Sequence, residues 1–131
     1  MTRLFLIFIA LAFSTIAFGQ EVPKEMQCRN GGALVIGSWH RLDLCLSHQK
    51  LDEKEVSEAK RLISKAYPKI GREVAAGSDL SLHMKKVANA LPYDFSDINN
   101  AELLAGMCKS SIGAMRRYVE PDWQKELACW Q

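Results

Sequence analysis

Apolar residues recur along this chain at a spacing of three to four, and nowhere is there a sustained alternation with a period of two. The clearest stretch is Asn100–Val119. There Leu104, Met107, Cys108, Ser111, Ile112, Met115, Tyr118 and Val119 share one stripe, which makes it the expected central helix. Val56, Ala59, Ile63, Ala66 and Tyr67 form a second stripe behind Asp52-Glu53-Lys54-Glu55, a capping-box signature with an acid at the cap and Glu three residues later. Pro68 interrupts that stripe, yet Ile70 and Val74 keep its phase. The helix therefore either stops near Tyr67 or kinks at Pro68 and runs on to Ala76, with Gly77 ending it. Leu80, Met84, Val87, Ala88 and Leu91 make a third stripe between the Ser78-Asp79 cap and Pro92. Val35, Trp39, Leu42 and Leu46 place a helix within Ala33–His48, although Ala33–Ile36 alone would also suit a short strand. The Gly31-Gly32 pair predicts irregular chain over Gln20–Gly32. Glu120-Pro121-Asp122 reads as a turn into a last short helix, Trp123–Trp130. Four to five helices with short connections describe an all-α bundle.

The N-terminus changes this picture by setting the compartment. Met1–Gly19 has a single charge, Arg3, an unbroken apolar run over Leu4–Phe13, and the small residues Ala17 and Gly19 ahead of polar Gln20. That is the pattern of a secretory signal peptide, and its apolar run is short for a membrane span. Cleavage after Gly19 leaves residues 20–131 as a single helical domain, secreted or periplasmic, with no stable membrane insertion. Charge is mild, 17 Lys and Arg against 15 Asp and Glu, and the basic residues are scattered pairs such as Lys85-Lys86 and Arg116-Arg117. Together with the export signal, this argues against nucleic acid as a partner.

All four cysteines, Cys28, Cys45, Cys108 and Cys129, lie after the leader, and an even count in an exported chain reads as two disulfides. There is no C-x-x-C, so redox catalysis and haem attachment lack their usual signature. If Cys28 and Cys45 lay on one helix they would be ~25 Å apart, far beyond the ~7 Å that a disulfide spans between Cα atoms. The preferred pairing is Cys45–Cys108, joining two helices, with Cys28–Cys129 joining the chain ends. Cys28–Cys45 with Cys108–Cys129 stays open, provided the glycine pair lets the chain fold back.

Candidate chemistry is sparse. His40 and Asp43 share a helix face and could form an oriented His–carboxylate pair, the basis of a small hydrolase if another helix supplied a nucleophile. The sequence offers no nucleophile elbow and no oxyanion loop, and a solvated polar face is the simpler account. His48 suits a helix C-terminus, and His83 lies on a polar face. Neither has a partner at metal-ligand spacing, so no metal or other cofactor is expected. Asp94, Asp97, Asn99 and Glu102 do not match a calcium loop, and capping of the following helix explains them better. Tyr93 and Phe95, flanked by Asp94 and Asp97, would suit a protein-binding hot spot if exposed, or the core if folded under. Opposite the core stripe of the expected central helix, Gly106, Ser110 and Gly113 line up. Two glycines inside a helix cost ~1 kcal/mol each relative to Ala, so this face should admit a close neighbour: either a partner protein or the last helix doubling back.

In general plan only, the chain resembles small exported helical proteins of bacteria, such as immunity proteins for cell-wall-degrading effectors and lysozyme inhibitors. No motif is specific to either group, and no residue role follows from the likeness. The expected function is an exported, non-enzymatic protein-binding domain, possessing Tyr93, Asp94, Phe95, Asp97, Gly106, Ser110 and Gly113 as candidate binding residues. A carrier of a small hydrophobic ligand, with an enclosed apolar pocket of at least ~300 Å³, is the alternative. The hydrolase using His40 and Asp43 is the third reading.

Overall fold

In the computed structural model, which describes residues 21–131, the first helix α1 covers Lys24–Ser47 and runs straight through Gly31 and Gly32. The expected irregular stretch over Gln20–Gly32 is thus helical from Lys24 onwards. The leader over Met1–Gly19 lies outside the described residues. The two glycines survive in a helix interior because the chain's end packs on them. A β-carbon on Gly32 would lie 2.0 Å from Trp130 Cε2, and one on Gly31 would lie 2.8 Å from Leu127 Cδ2. Glycine is the residue that leaves room there, and packing outweighs its poor helix propensity.

Five helices follow. They are α2 (Glu53–Ala66), α3 (Pro68–Ala76), α4 (Asp79–Asn89), α5 (Ala101–Arg117) and α6 (Pro121–Glu126), with 3-10 turns at Ile98–Asn100 and Ala128–Trp130. No strand occurs among the described residues, and the fold is the all-α, twice-stapled bundle that periodicity and cysteine count predict. The sixth helix comes from Pro68. A proline disfavours helical geometry in the residue before it; Tyr67 has φ −131° and ψ 76°, so α2 ends and α3 restarts with Pro68 in its first turn. Gly77, at φ 60° and ψ 43°, closes α3 in the left-handed conformation. Ser78 caps α4 by accepting from the Ser81 amide at 3.2 Å. Asp52 stands at the start of α2, but its side chain makes no cap hydrogen bond; the Glu55 of the expected capping box instead accepts from Arg116 at 2.8 Å. The expected last helix is α6 followed by the second 3-10 turn.

The central element is α1, not Asn100–Val119. Both α4 and α5 pack along α1, and the chain's final turn packs on its N-terminal half. Surrounded this way, α1 buries Cys28, Gly32, Val35, Ile36, Leu42 and Cys45, which do not form one stripe; a helix enclosed by several neighbours shows little amphipathic periodicity. The larger core joins Val35, Ile36 and Leu42 to Val56, Ile63, Tyr67, Ile70, Ile112, Met115, Leu127 and Trp130. Buried Tyr67 donates its hydroxyl to the Tyr118 carbonyl. A smaller cluster surrounds Cys45, Leu104 and Cys108.

The disulfides are Cys45–Cys108 and Cys28–Cys129, with Cα separations of 5.8 and 6.2 Å. The unbroken α1 rules out the other pairing of Cys28 with Cys45, because it holds those residues ~25 Å apart. Cys45–Cys108 fastens α5 antiparallel to α1. Cys28–Cys129, together with Trp130 Nε1 donating to the Cys28 carbonyl at 2.8 Å, closes the chain's end onto the start of α1.

Candidate functional site

The helices α4 and α5 both lean on α1 but scarcely touch each other. Between them lies an open groove of about 390 Å³. Its floor is the α1 face Leu34, Gly37, Ser38 and Arg41; α4 contributes Met84, Val87 and Ala88, and α5 contributes Met107, Ser110, Ser111, Ala114 and Arg117, with Tyr118 just past its end. Leu34 is 58% exposed although it belongs to the central helix, and Val87 across the groove is 47% exposed. The α5 wall is low because its groove-facing positions include Ser110, Ser111 and Ala114.

Electrostatically the groove is one-sided. It carries two arginines, Arg41 and Arg117, and no carboxylate lines it. Among the described residues neither arginine takes part in an ion pair, whereas the neighbouring Arg116 is held by Glu55. Arg41 Nε is buried and has no hydrogen-bond acceptor.

The candidate residues read from the sequence fall in three places. Ser110 lies on the groove wall. Gly106 and Gly113 sit on the same side of α5, further towards solvent, and a β-carbon on either would meet nothing within 4 Å. The last helix therefore does not pack on this face; it packs on Gly31 and Gly32 of α1. Tyr93, Asp94, Phe95 and Asp97 form the loop before α5. Tyr93 is exposed, while Phe95 is half-buried against the Cys45–Cys108 cluster, edge-on to His48 with ring centroids 6.3 Å apart. Asp94 accepts from the Ser96 amide at 2.9 Å and from its hydroxyl, and these hydrogen bonds hold its carboxyl below the usual range. Asp97 caps the 3-10 turn through the Asn99 amide at 3.0 Å. Both acids thus shape the loop.

His40 and Asp43 do meet a hydroxyl from another helix. His40 Nε2 lies 2.9 Å from Ser81 Oγ, and its Nδ1 lies 3.9 Å from Asp43 Oδ2. The order is acid, imidazole, serine, but Ser81 is only 2% exposed and Asp43 is held by Lys60. Burial lowers the His40 pKa, against the opposing pull of Asp43. In this geometry the imidazole and the serine hydroxyl tie α4 to α1 beneath the surface. Among the described residues no three His, Cys, Asp or Glu side chains cluster as a metal site, and no helix is long and apolar enough to cross a membrane.

The residues that sequence reasoning missed are Leu34, Arg41, Val87 and Arg117. A signal existed for the floor. Leu34, Gly37, Ser38 and Arg41 recur at i, i+3, i+4 and i+7, a second face beside the core stripe of the same helix. No known protein family, characterised protein or solved structure matches this chain.

Proposed function

We propose that this protein is an exported, non-enzymatic binding domain of the inhibitor or immunity type, which recognises another protein through the groove between α4 and α5. The observation that carries this reading is the uncovered floor of that groove: exposed Leu34 and Val87 beside Arg41 and Arg117, with no carboxylate on the lining. Exposed apolar grooves rimmed by polar residues are a common form of recognition site. Two disulfides suit a small domain working outside the reducing cytosol, and the leader-like N-terminus supports export.

The test is capture with the oxidised mature chain as bait, from its own cell envelope and from the secretions of competing cells. Ser110→Trp, which puts a large side chain on the groove wall, and Tyr93→Ala, at the loop, are the comparison baits. A protein retained by the parent chain and by Tyr93→Ala but lost from Ser110→Trp supports the groove. Loss from Tyr93→Ala with retention by Ser110→Trp moves the site to the loop. A parent chain that retains nothing beyond what Ser110→Trp retains overturns the reading.

A further inference from the structure

The groove is open, partly apolar and positively charged, and the occupant can be described by its chemistry. α5 is antiparallel to α1, with Cys108 fastened opposite Cys45. Counting from that staple, Arg41 lies four residues back along α1, and Arg117 lies nine residues on along α5. At the helical rise per residue the two arginines stand ~7.5 Å apart along the groove axis. An apolar path, with Leu34 on the floor and Val87 on the α4 wall, runs beside them.

We propose that the groove takes an acidic amphipathic helix from the partner protein. Its apolar face covers Leu34 and Val87, and two carboxylates about one turn apart on its flank engage Arg41 and Arg117. This rests on the protein-binding reading above. Two cations on a partly apolar lining suit an acidic amphipathic helix. A carboxylate pair at i and i+4 is ~6 Å apart along a helix axis, close to the axial offset of the two arginines, whereas a single fatty acid presents one carboxylate and would leave one guanidinium unmatched. Arginine binds carboxylates through paired, charge-assisted hydrogen bonds, and among the described residues neither groove arginine is held in an ion pair. The absence of any carboxylate on the groove lining gives the slot a single sign, which would repel a basic helix.

A displayed library of roughly 18-residue helical peptides, with leucines fixed at i, i+3, i+4 and i+7 and the other positions randomised, tests this on the oxidised full chain. The selected peptides should be enriched in Glu or Asp at two positions four apart beside the apolar stripe. The best of them, made with glutamine at both positions, should bind at least roughly tenfold more weakly. Arg41→Gln and Arg117→Gln should each weaken the acidic peptide and leave the glutamine peptide unchanged. Arg116→Gln, off the groove and paired with Glu55, should leave both unchanged. Selected peptides without acid enrichment, or with affinities indifferent to both groove arginines, overturn the acidic helix. So does preferential binding of laurate, which would make the groove a lipid site. If a protein is still captured in the Ser110-dependent manner above, the binding-domain reading survives that failure. If no protein is captured either, both fall.

Discussion

The Trp130 indole rests directly on the α-carbon of Gly32, where a β-carbon would come within 2.0 Å of Cε2. The same ring donates from Nε1 to the Cys28 carbonyl one turn earlier on α1, 2.8 Å away. One glycine therefore seats the chain's last aromatic residue, and the neighbouring disulfide holds it there. Gly32→Ala should destabilise the fold by about 1–3 kcal/mol through overpacking, despite alanine's better helix propensity. Chemical denaturation with tryptophan fluorescence checks this, and an unchanged midpoint would mean that Trp130 does not depend on the notch.

Gly106 makes the opposite case. It is exposed in the interior of α5, and nothing lies within 4 Å of an added β-carbon. Gly106→Ala should stabilise the protein by about 0.5–1 kcal/mol, the ordinary helix-interior difference. The two substitutions are chemically identical and should move the denaturation midpoint in opposite directions.

That contrast shows what could be read along the chain and what could not. Stripes such as Val56–Ile63 and Leu104–Met115 report a face turned towards one neighbour, so α2 and α5 were legible. Cysteines on apolar helix faces favoured the observed disulfide pairing, and the unbroken α1 decides it. Gly31-Gly32 misled because local propensity favours a break there, whereas the reason for glycine lies about a hundred residues away in Trp130, at the other end of the chain. The same long-range contact hid the central role of α1, whose buried residues face several neighbours. Of the groove, the α1 floor and Ser110 on the α5 wall were legible, but not their meeting, since the walls come together by tertiary packing.

The two disulfides close loops of sequence separation 101 and 63. In the chain-entropy account, each contributes about 4–5 kcal/mol by restricting the unfolded chain. Cys28→Ser with Cys129→Ser, and Cys45→Ser with Cys108→Ser, should each lower the unfolding free energy by a large fraction of that amount. Peptide mapping without reduction should recover Cys28 joined to Cys129 and Cys45 joined to Cys108. A Cys28–Cys45 peptide would contradict the continuous α1.

His40 gives the fold a pH dependence of known sign. Burial lowers its pKa below the ordinary 6.5, with Lys85 and Lys60 adding to the lowering and Asp43 and the hydrogen bond to Ser81 opposing it. Above pH 6.5 the imidazole is neutral in both folded and unfolded chains, and its contribution is fully present. As pH falls below that, the unfolded chain takes up the proton first, so stability declines until the folded value is passed. Denaturation midpoints between pH 7.5 and pH 5 should therefore fall for the parent chain and fall less for His40→Gln. Equal slopes would show that the imidazole does not titrate differently on folding.

The central claim, that a protein occupies the groove between α4 and α5, is tested most directly by a photo-crosslinking residue placed at Leu34 on the α1 floor. A second probe at Glu58, whose side chain pairs with Arg61 on the exposed face of α2, serves as the reference. Irradiation of the oxidised protein in its own cell envelope, or mixed with competitors' secretions, should give one protein adduct from position 34. That adduct should disappear in the Ser110→Trp background and be absent from position 58. Position 34 yielding no protein adduct, or the same adducts as position 58, would contradict the account.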